Sequence, residues 1–109
     1  MFYTYRQNNS GGNFIVNSDV TVTVIVEATD TEHADRRAEE FGIYFNGVND
    51  DIDCECCGDR WSSAWEGTET PEVYGQPVES YEARFQFTGS NEPSIYVYYL
   101  DGSKKSYYR

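Results

Sequence analysis

Val20-Thr21-Val22-Thr23-Val24-Ile25-Val26-Glu27 is the stretch whose reading decides the fold. Val20, Val22, Val24 and Val26 fall on one face, and Thr21, Thr23, Ile25 and Glu27 on the other. A period of two in β-branched residues predicts a strand over Val20 to Glu27. Thr23 and Ile25 on the second face predict that this face is at least partly covered. Directly after it, Thr29-Asp30-Thr31-Glu32 matches a capping box, with Thr29 as the expected N-cap and Glu32 at N3. Ala34, Ala38 and Phe41 recur at helical spacing and are expected to face the sheet. Gly42 is a natural C′ stop. Small alanines on that stripe imply close packing of helix on sheet.

Working back toward the start, Asn17-Ser18-Asp19 reads as a turn, Phe14-Ile15-Val16 as a restarted strand and Phe2-Tyr3-Thr4-Tyr5 as a first strand. Between the last two lies a wholly polar loop, Arg6-Gln7-Asn8-Asn9-Ser10-Gly11-Gly12-Asn13. Working forward, Ile43-Tyr44-Phe45 is a short strand or an anchor, and Asn46-Gly47 a turn. Val78 to Thr88 and Ser94 to Leu100 have strand character, with Asn91-Glu92-Pro93 as a turn between them. Asp101-Gly102 is a hairpin signal. Lys104 to Arg109 is the expected closing strand, its lysines suited to a protected edge. From Val48 to Gln76 no regular pattern appears. That segment carries eight acids against the single base Arg60, together with Trp61, Trp65 and all three cysteines. The expectation is a single α+β domain over residues 1–109. It has an antiparallel sheet of about five to six strands, one helix packed on a face, and a long irregular acidic loop pinned by its Cys and Trp residues.

Composition narrows the function. The 109 residues carry a formal net charge of −11. Such a field repels phosphates, so direct nucleic-acid binding is not expected. It is compatible with a surface that imitates nucleic acid or attracts a basic partner. No apolar signal segment opens the chain and no run reaches the roughly 18 apolar residues of a membrane span, so a cytosolic protein is expected. Tyrosine-rich strands make a homo-oligomer an expectation.

Asp53-Cys54-Glu55-Cys56-Cys57-Gly58-Asp59-Arg60-Trp61 gathers the rarest residue types. Cys54, Cys56 and Cys57, with His33 as a fourth ligand, are a candidate set for structural zinc. The alternative is free or partly buried thiols, which behave as small hydrophobes. Acidic neighbours work against a reactive thiolate. No Ser/His/Asp or HExxH pattern is present, so an enzyme is the least favoured class.

The Arg6 to Gly12 loop is the candidate ligand site. Arg6, Gln7, Asn8, Asn9, Ser10, Gly11 and Gly12 offer side-chain and backbone donors to an anion, and Tyr5 and Phe14 offer rings to a base or ribose. Arg60 and Trp61 are assigned to the same site. An anionic, nucleotide-like small molecule is the leading expectation. An acidic decoy for a basic host protein is the alternative, and a virion or structural accessory protein a second one.

The opening Phe2-Tyr3-Thr4-Tyr5-Arg6-Gln7-Asn8-Asn9-Ser10-Gly11-Gly12 and the later Asp53 to Trp61 run resemble a family of small uncharacterised tailed-bacteriophage proteins. Ala34 to Glu40 followed by Gly42-Ile43-Tyr44-Phe45-Asn46-Gly47 is similar as well. The resemblance implies a phage gene expressed in a host bacterial cytoplasm, with a role against host factors or defence signals. It carries no activity and no residue roles.

Overall fold

A computed structural model describes residues 1–8, 15–49, 52, 58–64, 66–73, 76–78 and 95–107. The elements in chain order are β1 (Phe2–Arg6), β2 (Thr23–Glu27), α1 (Thr31–Glu40), β3 (Gly67–Thr68), β4 (Glu72–Val73), β5 (Gln76–Pro77), β6 (Ile95–Tyr98) and β7 (Lys104–Tyr107). Five of the strands form one sheet in the order β3-β1-β2-β6-β7, and β4 pairs with β5 separately. The class is α+β, as expected.

The sheet is mixed, not purely antiparallel. β2 pairs with β6 in parallel, with Val24 opposite Tyr96 and Val26 opposite Tyr98. The other pairs in that sheet are antiparallel. Reading sequence neighbours as hairpins misses this, because a parallel pair needs a crossover and its partner lies far along the chain. Here the crossover contains α1. A ten-residue helix spans about 15 Å and a five-residue strand about 16 Å, so α1 can return the chain across the length of β2.

Alternation along the central strands builds two cores. Val24 and Val26 of β2 and Tyr96 and Tyr98 of β6 join Tyr3, Tyr5, Ala34, Ala38, Ile43 and Trp61 on the helix side. Ile25, Ile95 and Val97 point the other way and pack with Val73, Val78 and Tyr107. Val24, Ile25 and Val26 are all fully buried, so the predicted covering of the second face of β2 is complete there. Phe41, predicted to face the sheet, stacks on Tyr98 with centroids 3.7 Å apart. Tyr3, Tyr5, Tyr96, Tyr98 and Tyr107 are buried within the chain.

The helix begins one residue later than the capping-box reading. Asp30 is the N-cap, its carboxylate accepting the His33 N–H at 2.8 Å. Thr29 instead meets the His33 ring, its N–H and hydroxyl each 3.1 Å from Nδ1. A carboxylate satisfies the orphan N–H and also suits the positive end of the helix dipole. The predicted stop at Gly42 forms. With φ at 99° it donates to Glu39 O, and Ile43 donates to Ala38 O, which is a Schellman cap. Ile43 is a buried anchor and not a strand.

Arg37 does not lie on the surface as a helix salt bridge. Its guanidinium donates to the carbonyls of Glu27 and Tyr99, at the ends of the two parallel strands. At the opposite ends, the predicted Asn17 turn forms. Asn17 Oδ1 accepts the N–H groups of Asp19 and Val20, while its backbone carbonyl accepts the Tyr96 hydroxyl. Strand β6 stops at Tyr98 where the expectation ran to Leu100, and Tyr99 to Ser103 close the predicted hairpin. The expected strand over Val78 to Thr88 falls almost wholly outside the described residues.

Burial pushes the Tyr98 phenol from its ordinary 10.0 up to about 12, helped by the charge of Asp19 and by Tyr96. Tyr5 is pushed up in the same direction by burial and then by its hydrogen bond to Asp35. The folded state therefore favours both phenols neutral. That contribution is fully present below the unfolded value of 10.0 and is lost as pH rises through about 12. The thermal midpoint is expected to fall steeply across this alkaline window, and Tyr98→Phe should make the fall shallower. Calorimetric melts at stepped pH check it.

Candidate functional site

Strand β1 delivers Arg6, Gln7 and Asn8 to one end of the sheet. The two stretches singled out in the sequence meet there. The Asn8 N–H donates to Arg60 O at 2.8 Å, and Asn8 Nδ2 donates to Asp59 O at 3.3 Å. Arg60 reaches back, its Nη1 donating to Gln7 Oε1 at 2.8 Å and its Nε to the Tyr44 hydroxyl at 3.1 Å. Asp59 Oδ1 accepts the Val48 N–H at 2.9 Å. The opening polar loop and the cysteine-bearing segment are thus joined at their described ends.

Gln7 is the centre of this junction and is 7% exposed. Its Nε2 donates to Ile15 O at 2.9 Å and to Thr21 O at 3.2 Å. Its Oε1 accepts both the Ile15 N–H and Arg60 Nη1. A primary amide has two donors and two acceptor sites, and all four are used. This explains two departures from the expected strands. Ile15 and Val16 do not restart a strand, because Ile15 pairs with a side chain in place of a neighbouring backbone. β2 begins at Thr23 and not Val20, because the Val20 N–H goes to Asn17 and Thr21 O goes to Gln7.

The expected ligand residues divide accordingly. Tyr5 is 2% exposed, with its hydroxyl donating to Asp35 at 2.7 Å, so its ring is not a stacking platform. Trp61 is 1% exposed and belongs to the helix-side core. Gln7 has no capacity left for a ligand. Arg6 and Asn8 are exposed. Strand alternation puts Arg6 on the sheet face opposite Tyr5 and Gln7, opposite Thr23 in the register. Arg60 and Gln7 are therefore brought together, whereas Arg6 belongs to the other face. Asn9, Ser10, Gly11, Gly12 and Phe14 lie outside the described residues, as do Cys54, Cys56, Cys57 and Trp65. His33, the fourth proposed zinc ligand, is half-buried with Nδ1 turned to Thr29.

A feature that sequence reasoning missed lies beside this junction. A cleft of about 440 Å³ is lined by Phe45, Asn46, Asp59, Trp61, Ser62 and Ser63. Phe45 packs its ring 6.1 Å from Tyr5, and Asn46 holds a left-handed φ of 60° at the rim. The Asn46-Gly47 turn signal was the only trace of it in the sequence. No helix of the described residues is long and apolar enough to cross a membrane.

A family model described as a domain of unknown function (DUF7296) matches residues 1–109. The chain belongs to this family. No curated protein and no solved structure matches it.

Gly58 opens the junction with φ at 84°, a conformation that favours glycine. A Cβ there would meet only Asn8 Nδ2, at 3.9 Å, so the cost of substitution is conformational and not steric. Gly58→Ala is expected to destabilise the protein by about 1 kcal/mol. A urea midpoint measured beside the parent protein checks it.

Proposed function

We propose that the protein is a small acidic binding protein that engages a basic protein partner through its outward carboxylates. The observation that supports this reading is the excess of acids over bases, with carboxylates exposed on the helix and after the junction. The chain holds 19 acids and 8 bases. Among the described bases, Arg37 is turned onto two carbonyls and Arg60 onto Gln7 and Tyr44. Lys104 reaches the Ser18 carbonyl and sits 3.9 Å from the Tyr96 ring, and Lys105 lies over Tyr99. Lys104 and Lys105 are nonetheless exposed, as are Arg6 and Arg36. The carboxylates of Glu32, Glu39 and Glu40 on the helix, and of Glu66 and Glu69 after the junction, are exposed. A surface with this excess of negative charge attracts a cationic partner over about a Debye length, roughly 8 Å at physiological salt.

The resemblance to small tailed-phage proteins supports a host or defence enzyme as that partner, one that ordinarily holds nucleic acid. The protein then acts as an acidic decoy in a bacterial cytoplasm. The second reading, capture of an anionic nucleotide-like molecule by Arg6 to Gly12, is favoured by one observation: Arg6 and Asn8 are exposed where that loop begins. The burial of Tyr5, Gln7 and Trp61 and the filled amide of Gln7 weigh against it.

Affinity capture from bacterial lysate is expected to recover a basic, nucleic-acid-binding protein at low salt and to release it near 1 M salt. Replacing Glu32, Glu39 and Glu40 together by Gln should weaken that binding about tenfold, at roughly 0.5 kcal/mol per exposed pair. Capture of nothing basic, or binding indifferent to salt and to the triple variant, contradicts the reading. Calorimetric heat with cyclic nucleotides that disappears in Arg6→Ala would favour the second.

A further inference from the structure

We propose that the cleft beside the junction receives an arginine side chain of the basic partner, which makes it the specific contact within an otherwise diffuse acidic surface. This rests on the basic-partner reading and adds a site to it. The cleft's chemistry selects the occupant. Among the described residues its lining holds one carboxylate, Asp59, and no lysine or arginine. Asp59 Oδ1 accepts one backbone N–H, from Val48, and a carboxylate has about four acceptor positions, so most of its capacity can serve a ligand. Ser62 and Ser63 are exposed and bring two hydroxyl oxygens, and Asn46 brings an amide oxygen. Phe45 brings a half-buried ring beside these acceptors.

A guanidinium is planar and offers five N–H donors with no acceptor. It pairs with a carboxylate, donates to hydroxyl and amide oxygens, and rests its face on an aromatic ring. The cleft supplies each of these. An anion would meet Asp59 and find no cation among the described lining residues. A purely apolar group would strand the Asp59, Ser62, Ser63 and Asn46 oxygens away from water. At about 440 Å³ the cleft lies within the usual size of a small-ligand site and has room for a long side chain with its water. Trp61, 1% exposed, is part of its lining.

The test is an NMR titration of the labelled protein with N-acetyl-arginine methylamide at low salt, followed at the backbone amides of Asn46, Asp59, Ser62 and Ser63. The lysine and glutamate analogues serve as controls. A saturable shift confined to the cleft is expected with arginine, in the millimolar range proper to one isolated side chain, weaker with lysine and absent with glutamate. Asp59→Asn keeps an acceptor for the Val48 N–H while removing the charge, and should weaken binding about tenfold. Ser63→Lys, at an exposed position, should abolish it without touching the core. No shift with the arginine compound, or a shift that Ser63→Lys leaves unchanged, overturns the proposal. Captured basic protein together with an unperturbed cleft would keep the partner reading and remove this site.

Discussion

The side-chain amide of Gln7 is the interaction on which this arrangement depends. A buried amide left unpaired costs about 1–3 kcal/mol, so its partners are constrained nearly as tightly as those of a backbone group. Gln7 meets that demand by collecting Ile15, Thr21 and Arg60 around the end of β1. Three segments distant in sequence are thereby held at one place. Arg60 ties its own position to the end of β1, and the adjacent Trp61 fills the helix-side core. Stability and site geometry share one cause here, since the same guanidinium that completes Gln7 also orients Tyr44.

The second constraint is the parallel pairing of β2 with β6. It puts two hydrophobic strands side by side at the centre of the sheet, and each must be covered on both faces. Tyr96 and Tyr98 cover the helix side while Ile95 and Val97 cover the other. Arg37 closes the ends of both strands through the carbonyls of Glu27 and Tyr99.

Much of this was legible in the sequence. The Val24-Ile25-Val26 alternation, the Ala34–Ala38 stripe, the Gly42 stop, the Asn17 turn and the Asp101-Gly102 hairpin are local signals, and local chemistry decides them. The parallel neighbour of β2 was not legible, because nothing within β2 says which distant strand it will pair with. Nor was the N-cap. Thr29 and Asp30 are both good caps, and a contact between Thr29 and the His33 ring accompanies the choice of Asp30. Gln7 and Asn8 meet Arg60 through hydrogen bonds that no local pattern in the sequence announces. Whether a polar side chain faces a ligand or satisfies its own protein depends on burial, and Gln7 and Tyr5 belong to the second kind. The cleft at Phe45 to Ser63 left almost no trace, since concavity comes from packing and not from residue type.

The claim that the two motifs are joined through the Gln7–Arg60 contact is tested most directly by a double-mutant cycle on those two positions. Urea unfolding of Gln7→Leu, Arg60→Met, the double variant and the parent gives the coupling energy. A coupling above about 1 kcal/mol is expected for a charge-assisted hydrogen bond in a buried network. Effects that add to within about 0.3 kcal/mol would show that the two residues act independently, and would contradict the account.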